Sequence, residues 1–107
     1  YKRQGRQLDG SRSPFDQLKT IVDAVGGKIE IIIDGGIRRG THVLKALSLG
    51  ATACSFGKGF LFALSAGGQK GVEMILQRMK EELRRDMILL GKKNIGDLSK
   101  ENLAFRD

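Results

Sequence analysis

Ile29-Glu30-Ile31-Ile32-Ile33-Asp34-Gly35-Gly36-Ile37-Arg38-Arg39-Gly40-Thr41 is the stretch that decides how this chain folds. Its first five residues form a nearly continuous β-branched run. Such a run predicts a strand buried on both faces, as in a parallel sheet. Asp34 to Gly40 then reads as a loop, and Thr41 as the cap of a helix running to Leu49, with Gly50 as its stop. Ala51 to Phe56 repeats the pattern as a second buried strand leading into Gly57-Lys58-Gly59.

Working outward, Ser13-Pro14 predicts a helix start, with Ser as cap and Pro at the first helical position. Phe15, Leu18, Ile21, Val22 and Val25 give that helix one apolar face, and Gly26-Gly27 ends it. Before it, Tyr1 to Arg12 is a basic, polar loop. After the second strand, Phe60 to Leu64 is a short apolar segment closed by a Gly67-Gly68 turn. The longest helix is expected from Lys70 to Leu90, with Val72, Ile75, Leu76, Met79, Leu83, Met87 and Leu90 along one face. Glu81 and Arg85 are spaced to pair on its other side, and Gly91 with Lys92-Lys93 closes it. Asn94 to Asp107 reads as a polar docking tail. The methionines at 74, 79 and 87 are read as packing, and Cys54 as a small core residue.

The order helix–strand–helix–strand–helix is a β-α-β unit with flanking helices, the grammar of α/β folds. Two parallel strands cannot cover both faces of a sheet, and both edges would stay open. The expectation is a piece of a larger barrel or sheet, incomplete as a stand-alone domain. It divides into 1–12 as a loop, 13–91 as the helix–strand–helix–strand–helix unit and 92–107 as the tail.

Composition narrows the function. With 107 residues, 40% apolar and 29% charged, the chain is of ordinary globular make-up. No stretch is long and apolar enough to span a bilayer, and no leader-like segment is evident, so a cytoplasmic protein, or one peripheral at the inner face of the membrane, is expected. One Cys excludes an internal disulfide, and with one His it leaves no metal site to be expected. The net charge is +7, but residues 1–69 hold ten Lys/Arg against five Asp/Glu, and residues 70–107 hold nine against seven. The excess therefore sits near the glycine-rich loops. One Tyr, five Phe and no Trp offer few stacking platforms, so nucleic acid is not an expected partner.

The chemistry is expected at the two strand ends. Glycines let backbone approach a ligand closely, and helix N-terminal amides and guanidinium forks favour phosphate oxygens. Taken singly, either loop reads as a tight turn with solvated arginines. Taken together, each after a buried strand, they point to an anion site. Paired loops after the seventh and eighth strands of a (β/α)8 barrel form such a site.

These residues also carry a family resemblance. Gly5-Arg6-Gln7-Leu8-Asp9-Gly10, Asp34 through Thr41, Phe56-Gly57-Lys58 before the Gly67-Gly68 turn, the Leu44–Ala51 run and Leu89-Leu90-Gly91 resemble the last quarter of the FMN-dependent 2-hydroxy-acid dehydrogenases and oxidases. That family includes glycolate oxidase, lactate oxidase and bacterial L-lactate dehydrogenase. The resemblance implies a (β/α)8 TIM barrel, of which this chain would be about the last two strands and their helices. It implies FMN as cofactor, held by Asp34, Gly35, Gly36, Arg38 and Arg39 and by Gly57 and Lys58. The family usually has Gly-Arg-Pro at the second element, so Lys58 keeps the charge but lacks the two-donor fork. His42 stands where an Asp is more usual, and reads as a solvated residue in the first helical turn.

By the same resemblance, Arg6 matches the arginine that grips the carboxylate of a small 2-hydroxy acid. Tyr1 to Asp9 corresponds to a family run Ser-Asn-His-Gly-(Gly/Ala)-Arg-Gln-Leu-Asp, which puts Arg3 at the position of the catalytic histidine. An arginine cannot accept a proton at neutral pH. The implied reaction moves a hydride equivalent from the substrate α-carbon to flavin N5, leaving a 2-oxo acid, while a base takes the hydroxyl proton. Two readings follow. One is the C-terminal portion of such an oxidoreductase, inactive alone and completed by an upstream polypeptide. The other is a degenerate, non-catalytic binding or assembly module. Open sheet edges predict self-association under either.

Overall fold

The computed structural model describes residues 10–105. Helix α1 spans Pro14–Val25, strand β1 Ile32–Asp34, helix α2 Gly40–Leu49, strand β2 Ala53–Ser55 and helix α3 Lys58–Leu89, followed by 3-10 turns at Ile95–Asp97 and Lys100–Asn102. Helix α1 starts as its sequence dictates. The Ser13 hydroxyl oxygen accepts from the Asp16 amide at 3.2 Å, Pro14 fills the first helical position, and Gly26 caps the end. Arg3 and Arg6 lie outside the described residues.

β1 and β2 pair in parallel, with Ile32 opposite Ala53, Ile33 opposite Cys54 and Asp34 opposite Ser55. Both strands are shorter than their sequences suggest. Before β1, the Ile31 amide donates to the Thr52 hydroxyl at 3.1 Å, and the Ile31 carbonyl accepts from the Thr52 amide at 2.8 Å. The expected burial on both faces is not seen. Ile33 is 4% exposed, yet Ile32 is 65% exposed, and Ala53 and Ser55 are exposed too. A residue is buried by its neighbours, and the described residues supply a layer to only one face of this two-stranded sheet.

That layer is the core. Leu18 from α1, Ile33 from β1, Ala46 and Leu49 from α2, and Ala51 form one buried cluster, with Phe15, Val22, Ile31, Cys54 and Leu103 packed around it. Leu103 brings the tail into the core, and Lys100 holds it to α1 through Asp23 at 2.6 Å. Helix α2 ends on Gly50, and the Ala51 amide reaches back to the Ala46 carbonyl at 3.0 Å.

Helix α3 bears on three expectations. First, the Gly67-Gly68 turn is present: Gly68 leaves the helical region (φ 56°, ψ −142°), so the span from Lys58 to Leu89 is two helical segments joined at a kink. Second, Met79 and Met87 are buried as packing residues, but Met74 is 70% exposed and Leu76 and Leu90 are also exposed. The buried stripe faces α2, which meets only the later turns of α3. Third, Glu81 does not pair with Arg85. Gln77 donates to Glu81 at 2.7 Å, while Arg85 turns to Asp86 at 2.9 Å. Among the described residues, no helix is long and apolar enough to cross a membrane.

Candidate functional site

The parallel register decides the site. Because Asp34 lies opposite Ser55, both strands end at the same sheet edge. Adjacent strands run about 4.8 Å apart, so the loops that follow are neighbours. The first loop runs from Gly35 to Arg39, and α2 begins at Gly40. The second is shorter: Gly57 precedes α3, whose first residue is Lys58. Two helix N-termini therefore start beside this edge.

Gly35 (φ 109°) and Gly36 (φ 79°) turn the first loop through backbone angles that side chains disfavour. Open space surrounds the positions that side chains would take at Gly36 and Gly57, so a ligand could approach the backbone there. The Arg38 side chain is exposed, and its amide donates to His42 Nδ1 at 3.2 Å. His42 is therefore not simply solvated: it is half-buried and braces the turn between the loop and α2.

Arg39 and Gly40 are engaged elsewhere. The start of α2 has no side-chain cap of its own, and Thr41 is not the cap expected from sequence. The cap comes from α3. Glu82, 8% exposed, accepts from the Gly40 amide at 2.9 Å through Oε2 and from Arg39 Nη2 at 3.3 Å through Oε1, with Arg78 Nε at 3.6 Å. One turn on, Asp86 accepts from the Thr41 hydroxyl at 2.7 Å. The Gly40 amide, aided by Arg39 and Arg78, holds the Glu82 carboxyl below its ordinary range despite burial. The Thr41 hydroxyl, then Arg85, does the same for Asp86. Cys54 lies half-buried in β2, and burial pushes its thiol up, away from the reactive thiolate.

Of the site residues expected from sequence, Asp34, Gly35, Gly36, Arg38, Gly57 and Lys58 come together at this edge. Arg39 is at the edge as well, but its guanidinium is tied to Glu82. Glu82 and Asp86 were not singled out in the sequence. The signal was there: two acids four residues apart interrupt a face otherwise made of Met79, Leu83 and Met87. Among the described residues no cluster of His, Cys, Asp and Glu could hold a metal ion. The donor set at the edge, amides with Arg and Lys, instead suits a phosphate monoester.

Comparison with known proteins bears on that fit. A family model described as FMN-dependent dehydrogenase matches residues 3–105. The chain is 46% identical over 94 residues to an L-lactate oxidase of Nostoc sp., covering 88% of this chain and 26% of that protein. It is 47% identical over 95 residues to 2-hydroxyacid oxidase 1 of Homo sapiens, covering 89% and 26%. Among solved structures, a mutant flavocytochrome b2 with pyruvate bound superposes with a TM-score of 0.88 at 41% identity, covering 94% of this chain and 27% of that one. A mandelate oxidase variant with a monooxide FMN adduct gives 0.81 at 47% identity, covering 86% and 29%. These structural neighbours are TIM barrels and depend on FMN. The chain thus spans about a quarter of the length of the relatives it matches.

Proposed function

The chain belongs to the FMN-dependent dehydrogenase family, and on that premise we propose that it is the C-terminal portion of a TIM-barrel FMN-dependent (S)-2-hydroxy-acid dehydrogenase or oxidase, L-lactate dehydrogenase-like in type. Its part is to hold the cofactor phosphate at the C-terminal edge of β1 and β2. The observation that carries this reading is the parallel register that sets the Asp34 and Ser55 ends side by side.

Each residue has a definable task. Gly35, Gly36 and Gly57 keep side chains away from the phosphate, and Asp34 and the loop amides fix the turn around it. Arg38 offers a planar pair of donors and Lys58 a point charge, so Arg38 gives the directional contact. Arg39, its guanidinium paired with Glu82, helps hold the far end of the loop in place. Arg6 binds both carboxylate oxygens of a small 2-hydroxy acid and sets its orientation. When bound, FMN supplies the two-electron acceptor that no side chain offers. The proton from the substrate hydroxyl needs an acceptor, and Arg3, at the family's histidine position, cannot provide one.

Titration of the purified chain with FMN, with riboflavin as the control lacking phosphate, tests the site. Saturable FMN binding that riboflavin does not match is expected. Equal binding of the two, or none, would sink the phosphate site. The chain alone is expected not to reduce FMN with lactate or glycolate, and observed reduction would refute that.

Arg3 at the family's histidine position favours a second reading, a degenerate relative that persists as a binding or assembly module. The two readings separate on complementation. Activity restored by an upstream polypeptide supports a split enzyme, and its absence with intact assembly supports the module.

A further inference from the structure

A carboxylate placed in an apolar seam is costly unless its oxygens are satisfied. Glu82 sits in such a seam between Met79, Leu83 and Met87, and both of its oxygens are engaged. What it engages is the start of α2. The Gly40 amide has no partner within its own helix, and Glu82 takes it; Asp86, one turn along, takes the Thr41 hydroxyl. Two consecutive residues of α2 are thus held by two acids on consecutive turns of α3. The loop from Gly35 to Arg39 hangs between β1 and this clasp, so its far end is where Glu82 puts it. No other residue fits at position 40, because a Cβ there would strike the Met79 carbonyl oxygen and come within 2.6 Å of the Leu83 nitrogen. The second loop leads into the segment of α3 that precedes the Gly68 kink.

We propose that Glu82 is the positioning residue of the first anion loop: it fixes the Gly35–Arg39 segment to the later turns of α3, beyond the Gly68 kink, and it pairs with Arg39 so that no free negative charge faces the anion. This rests on the reading of these loops as the cofactor-phosphate site. Glu82 touches neither cofactor nor substrate in this role. The charged groups facing it are Arg39 from the start of α2 and Arg78 from α3, while Asp86, one turn on, pairs with Arg85.

The test is amide hydrogen exchange, residue by residue, in the 107-residue chain and its variants Glu82→Ala and Glu82→Gln. Glu81→Gln serves as control, because Glu81 is exposed and accepts from Gln77. In Glu82→Ala, exchange at Arg38, Arg39 and Gly40 should rise about tenfold or more relative to Leu18 and Val22 in α1. In Glu82→Gln, whose carbonyl oxygen still accepts, Gly40 should stay within about threefold of the parent. Uniform acceleration along the chain, or an unchanged Gly40 in Glu82→Ala, overturns the proposal.

If Glu82→Ala does not fold, an acid titration of the unmodified chain decides instead. The Gly40 amide proton shift should follow a carboxyl group titrating below the ordinary glutamate range. A Gly40 shift that ignores acidification, or follows an ordinary glutamate, overturns the proposal. FMN affinity is read in parallel and should weaken about tenfold in Glu82→Ala with riboflavin unaffected. Should the parent chain bind no FMN, the phosphate-site reading fails, while the exchange pattern still decides whether Glu82 positions the loop.

Discussion

Gly40 is the tightest point in the seam between α2 and α3. A methyl group there would meet backbone on two sides, and Glu82 Cβ at 2.7 Å, so nothing flexible can yield. Gly40→Ala is expected to destabilise the chain by about 1–3 kcal/mol, as overpacking does, read as a lower urea midpoint at unchanged slope. An unchanged midpoint would mean that the helices separate freely. Acid should act on the same seam. Glu82 and Asp86 have folded pKa values lowered relative to the unfolded chain. Their stabilisation is therefore present above the unfolded carboxylate range of about 4 and is lost as pH falls through the folded values. Stability measured against pH should drop on that limb, and Glu82→Gln should flatten it; an identical acid limb in both proteins would contradict the assignment. Side by side in the sequence, Arg38 and Arg39 look interchangeable. They are not, because the partner of Arg39 lies 43 residues away, a distance that no local pattern reports.

At the scale of elements, Gly67 and Gly68 divide their labour. Gly68 alone leaves the helical region of α3 (φ 56°, ψ −142°), so the bend resides in one residue. Gly68→Ala is expected to cost about 1–3 kcal/mol through backbone strain. Gly67→Ala, at a helical position with open space around it, should be neutral or stabilising by up to about 1 kcal/mol. Opposite shifts in thermal midpoint would verify the bend, and two equal shifts would deny it. The elements themselves were legible in the chain. Ser13-Pro14 and Gly26 bracket α1, and Gly50 closes α2, because caps and stops act within a few residues. Strand length and burial were not legible. Ile32 and Ile33 are the same residue type, yet 65% and 4% exposed, and only the layer stacked on one face of the sheet distinguishes them. The cap of α2 was equally hidden, since it arrives from α3.

The molecule as a whole exposes more than a chain of its size should. Its accessible surface is 7954 Å², against about 5,900 Å² for a compact monomer of 11.7 kDa. Its radius of gyration is 14.7 Å, against about 13 Å expected. The exposed apolar side chains include Ile29, Ile32, Phe62, Ile88 and Leu89, among them residues of the open sheet face and both ends of α3. Surface of that kind drives association, and the chain covers 26% of relatives whose remaining length is available to cover it. At micromolar concentration the chain alone should self-associate in light scattering; a monodisperse monomer with cooperative unfolding would contradict this. Mixing with a polypeptide equivalent to the preceding three-quarters of a relative should give a 1:1 complex in place of self-association. In that complex the proposed loss of the proton acceptor becomes testable. If Arg3 occupies the position of the base, Arg3→His should raise lactate or glycolate oxidation by about 10² to 10⁴, with the gain appearing in the turnover rate while FMN affinity stays constant. A gain confined to FMN affinity would place Arg3 outside the proton path, and the oxidoreductase reading of the first loop would then rest on the phosphate site alone.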